Sequence, residues 1–96
     1  MCEGVKVNKI FNYSFIDESS KSRISYEYDN NVEEKLKVNI EDGVPVISGN
    51  KQTFLFLAKL FAKLSLSDYE TGFHVHLTTD LDADKSEALR IVLDNR

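Results

Sequence analysis

His74-Val75-His76 is the segment of this sequence best equipped for chemistry. Residues i and i+2 of a β-strand project from one face, about 6.6–6.8 Å apart along the chain, so two imidazoles can converge on one metal ion. Two ligands do not complete a zinc site, and a third would have to come from Asp80, Asp82 or a second subunit. The simpler expectation is a pair of strand histidines that hydrogen-bond to neighbours or touch a partner and hold no metal. Asp80-Leu81-Asp82-Ala83-Asp84 opens like an EF-hand calcium loop. It carries Lys85 at the sixth position, where glycine is needed, and Ile91 at the twelfth, where the bidentate glutamate belongs. Calcium by that route is excluded. The run reads as an acidic turn, and Asp80, Asp82 and Asp84 join His74 and His76 as candidate partner-contacting residues.

Catalytic signatures are missing from the sequence. Cys2 stands near the terminus with no neighbouring histidine to activate it. There is no G-x-S-x-G elbow, phosphate-binding glycine loop or H-E-x-x-H helix. The residue types therefore favour a non-catalytic binder without a cofactor, with Tyr69 available as a contact anchor and Tyr13, Tyr26 and Tyr28 expected to pack in or beside the sheet unless they too serve as anchors. Twelve Lys/Arg against sixteen Asp/Glu give a net charge of −4. That balance disfavours nucleic acid, whose phosphates require a basic surface. The acid is concentrated in two runs. Asp17–Asp42 holds eight carboxylates against four bases, and Asp68–Glu87 holds six against Lys85 alone. A basic protein partner would suit such a surface.

The elements that must position these groups follow from periodicity. The chain is 96 residues long, 42% hydrophobic and 29% charged, which fits a single globular domain over 1–96. Its longest apolar run, Phe54 to Ala58, is far short of the roughly 20 residues of a membrane span. Met1-Cys2-Glu3-Gly4 offers no basic flank or apolar signal core, and one cysteine fits a reducing compartment, so a cytoplasmic protein is expected. Alternation predicts strands over Val5–Phe15, Ile24–Tyr28, Leu36–Glu41, Val44–Ile47, Phe73–Thr78 and Leu89–Leu93. Asp42-Gly43 is a strong hairpin signal, and Pro45 places the following strand at an edge. Asn50 is a suitable N-cap for a helix over 51–65. The predicted fold is α+β: a mostly antiparallel sheet of about six strands with one main helix packed on one face, a two-layer sandwich.

The helix is apolar around roughly 240° of its circumference, which is wider than covering one sheet requires. Phe54, Leu57, Ala58, Phe61 and Leu64 make the expected core face. Leu55, Phe56, Leu60 and Ala62 are left to flank it as contacts of a homodimer.

Ile47-Ser48-Gly49-Asn50, Leu57-Ala58-Lys59-Leu60 with Leu64, and Gly72-Phe73-His74-Val75-His76-Leu77 together resemble the pattern of bacterial polymorphic-toxin immunity protein family 32. The likeness covers residues 46–78. The chain departs from the pattern at Thr53-Phe54, where Gly-Leu is usual, at Ser65, where alanine is common, and at Thr78, where aspartate often follows. The resemblance implies a small cytoplasmic protein that binds and neutralises a cognate toxin, of which a basic nuclease is one kind. The alternative from the residues alone is a metal- or ligand-binding regulatory domain using His74 and His76.

Overall fold

The computed structural model of the chain describes residues 6–27, 35–78 and 87–94. Its regular elements are a 3₁₀ turn (Ser19–Lys21), β1 (Leu36–Glu41), β2 (Val44–Gly49), α1 (Lys51–Leu66), β3 (His74–Thr78) and β4 (Glu87–Val92). β1 pairs antiparallel with β2, and β3 antiparallel with β4, in two separate two-stranded sheets. The chain is α+β, but the predicted single sheet of about six strands covered by one helix is not formed by the described residues.

The segments around Val7–Phe15 and Ile24–Glu27 account for much of the difference, because neither carries strand structure. Phe11, Tyr13 and Phe15 still stack in series, with ring centroids 6.1 and 5.5 Å apart, as alternate residues of an extended chain do. What they lack is a ladder. The backbone carbonyls of Arg23 and Ser25 are taken by side chains: the Tyr69 hydroxyl donates to one at 2.5 Å and the Lys63 ammonium to the other at 2.7 Å. Polar backbone groups satisfied in this way need no neighbouring strand.

The β1–β2 hairpin follows the prediction. Asp42 (φ 53°) and Gly43 (φ 77°) form a two-residue turn with both central residues in the left-handed region, for which Asp-Gly is suited. Burial fades along β1, from Leu36, fully buried, to Ile40, 75% exposed. The base of the hairpin is therefore in the core and its tip outside. In β3 the alternation is regular: Val75 and Leu77 are buried, His74 and His76 exposed.

Helix α1 is capped as expected, with the Asn50 side chain accepting from the Thr53 N–H at 2.9 Å. The same cap sets the rotation of the helix. The Thr53 hydroxyl accepts from the Lys35 N–H at 2.7 Å and lies within donating distance of the Lys35 carbonyl and the Asn50 side chain, so Thr53 faces the start of β1, fully buried. From there the helical period carries Phe56, Leu57, Leu60, Lys63 and Leu64 inward, against Leu36, Val75 and Leu77. Phe54, Ala58 and Phe61, expected in the core, are exposed. Phe56 and Leu60, expected at a dimer interface, are each 3% exposed within one chain and have no surface to give a partner. Leu55 and Ala62 remain at the flank of the exposed stripe, 39% exposed and half-buried respectively.

Gly49 sits at this junction because nothing larger fits. A Cβ there would lie 2.8 Å from Thr53 Cγ2 and 2.9 Å from the Lys35 carbonyl oxygen. Since one obstacle is backbone, relief requires moving β1. Gly49→Ala is expected to lower stability by about 1–3 kcal/mol, read as a reduced denaturant midpoint. An unchanged midpoint would contradict the close approach.

Candidate partner-binding site

A concavity of about 590 Å³ lies between the 3₁₀ turn and the loop that follows α1. Asp17, Asp68 and Glu70 line it, with hydroxyls from Ser19, Ser20, Ser22 and Thr71, and with Tyr69 and Phe73 as its apolar floor. No lysine or arginine is among the lining residues. The floor is firmly set. Tyr69 is buried, stacks on Phe73 at 4.1 Å and is tethered through its hydroxyl to Arg23. Gly72 adopts φ +97°, donates to the Leu93 carbonyl at 2.9 Å, and Leu93 donates back to Phe73 at 2.8 Å, which clips the loop to the end of β4. Asp17 accepts the Ser19 N–H at 2.8 Å. Hydrogen bonding from Ser19, through its hydroxyl and its N–H, holds the Asp17 carboxyl below the usual range. The Tyr69 hydroxyl is pushed up by burial first, and then by the negative charges of Asp17 and Glu18. The cleft thus gathers three carboxylates around a floor held in place by hydrogen bonds. It joins the leading residues of the two acidic runs, Asp17 and Asp68.

His74 and His76 lie on the exposed face of β3, with ring centroids 4.9 Å apart. His74 Nδ1 donates to the Gly72 carbonyl at 3.0 Å, and His76 Nδ1 meets Glu87 Oε2 at 2.7 Å. Arg90, opposite His76 in register, holds the other Glu87 oxygen at 3.1 Å. The hydrogen bond from His76, followed by that from Arg90, lowers the Glu87 pKa. Among the described residues no three His, Cys, Asp or Glu side chains are grouped to hold a metal ion. Asp80, Asp82 and Asp84 lie outside the described residues.

A second polar cluster, not signalled by any motif, surrounds Glu27. Tyr13 donates to it at 2.6 Å, Lys63 lies 3.5 Å away and Lys59 3.8 Å away, the latter also 5.5 Å from the Tyr13 ring centroid. Lys63 is 6% exposed, a cation where the helical pattern calls for an apolar residue, and its partners are Glu27 and the Ser25 carbonyl. The Tyr13 hydrogen bond, ahead of the two lysine charges, lowers the Glu27 pKa, while burial and then Glu27 itself raise that of Tyr13. The two shifts bracket a stability plateau. Glu27 contributes above its unfolded pKa of about 4.3 and loses that contribution as pH falls through its lower folded value. Tyr13 contributes below about pH 10 and loses that as pH rises through its higher folded value. Glu27→Gln should therefore flatten part of the acid limb of a midpoint-against-pH curve, and an acid limb identical to that of the parent protein would contradict the cluster.

No family model, curated protein or solved structure matches the chain. Among the described residues no helix is long and apolar enough to cross a membrane.

Proposed function

We propose that this chain is a small immunity-type protein that acts in the cytoplasm by binding a cognate toxin and masking it, without catalysis of its own. The observation that carries the reading is the rigid acidic cleft. Asp17, Asp68 and Glu70 converge from segments some fifty residues apart and line a concavity that has no basic side chain of the same copy among its described lining residues. A basic toxin, such as a nuclease whose own surface must attract phosphates, offers the complementary field. The resemblance of residues 46–78 to immunity family 32 supports the same reading. Inspection of the neighbouring genes for a toxin, and co-expression with any toxin found there, test it. The reading expects rescue of growth, and unrelieved killing by a toxin that this folded chain does not bind would refute it.

The second reading is a metal- or ligand-binding domain using His74 and His76. Both Nδ1 atoms are engaged by oxygens on an exposed face, and among the described residues neither Nε2 has a hydrogen-bond partner. Stoichiometric zinc in tag-free protein, lost in the His74→Ala/His76→Ala double variant, would favour it.

A further inference from the structure

The outward side of α1 is an apolar stripe with no cover from the described residues. Phe54, Ala58, Phe61 and Ser65 follow one another at i, i+4, i+7 and i+11, all exposed, with Phe54 at 50% and Phe61 at 47%. Leu55 and Leu66 widen it, at 39% and 73%. A chain of net charge −4 would ordinarily repel its own copy, but α1 contains no Asp or Glu. The stripe is neutral except for Lys51 at its beginning.

We propose that this face pairs with the same face of a second copy, the two helices running antiparallel about a twofold axis between positions 59 and 60. Large then meets small along the seam. In that register Phe54 of each copy lies over Ser65 of the other, and Phe61 over Ala58, so helices can approach to the usual 8–10 Å of packed pairs. The ends match as well. Phe54 enters the groove of about 570 Å³ at the far end of the partner helix, beside Leu66 and Leu93. Lys51 arrives at Asp68, which borders that groove, and symmetry makes the ion pair twice. The area is adequate. Two half-exposed phenylalanines with Leu55 and Leu66 offer roughly 400 Å² of apolar surface. The non-polar share of a standard interface is roughly 450 Å² per partner.

Sedimentation equilibrium of the full chain at tens of micromolar tests the pairing. A species of twice 11.0 kDa is expected. A monomer throughout that range overturns the proposal. Phe61→Glu, at an exposed position, should give a folded monomer with an unchanged circular dichroism spectrum; if it stays dimeric, α1 is not the interface. Lys51→Glu should weaken association about tenfold, and Lys51→Glu/Asp68→Lys should restore it. A double variant as weak as Lys51→Glu overturns the antiparallel register.

Discussion

Leu60→Glu should unfold the domain. Leu60 is 3% exposed and packs in the cluster that contains Leu36, Phe56, Leu57, Val75 and Leu77. The substitution removes a buried leucine, a loss of about 2–5 kcal/mol for truncation alone. It also buries a carboxylate beside Lys63, whose ammonium is already engaged by Glu27 and the Ser25 carbonyl, and burying a second carboxylate there costs several kcal/mol more. A domain of this size has about 5–15 kcal/mol in total. The far-ultraviolet spectrum should therefore be that of an unfolded chain at 25 °C. Phe61→Glu, one position further on, should remain folded. A folded Leu60→Glu protein would mean that α1 is rotated by about a quarter turn from the orientation set by Thr53.

The second large effect concerns the cleft. Asp17→Lys/Glu70→Lys changes the local charge by four units, on side chains that line the cleft without packing in the core. Stability should fall by about 1 kcal/mol, since Asp17→Lys removes the acceptor of the Ser19 N–H while Glu70 is exposed, and the domain should stay folded. Association with a basic toxin should slow on the order of 100-fold at low salt, because steering by the acidic field is replaced by repulsion. The parent protein's association should itself fall steeply with added salt, and the variant's should not. Asp68 is left in place so that the variant does not disturb the Lys51 pairing across the proposed dimer. Equal rates for parent and variant would remove the cleft from the interface.

Much of the framework was legible in the sequence, and the failures have physical causes. The helix was expected over 51–65 and occupies Lys51–Leu66; the Asp42-Gly43 turn and the β3 alternation stand as read. The inward face of the helix is not legible, because an apolar arc of roughly 240° has no unique inward direction. The deciding contact, Thr53 with Lys35, spans 18 residues and leaves no periodic trace. The two expected strands that do not form show why: alternating side chains do not reveal whether the carbonyls of Arg23 and Ser25 meet a strand or the tips of Tyr69 and Lys63. The cleft was half visible. Both acidic runs stand out in the composition, but only tertiary structure brings Asp17 beside Asp68. Glu27 with its tyrosine and two lysines had no motif to announce it.

The most direct measurement is calorimetric titration of the purified chain with a toxin domain identified among its gene neighbours, with toxin activity followed in the same mixtures. The acidic-cleft account predicts a saturable complex of nanomolar affinity, one toxin per chain, weakened by salt and extinguishing toxin activity in proportion to occupancy. No binding at micromolar concentrations of folded protein, with the toxin fully active, would contradict it.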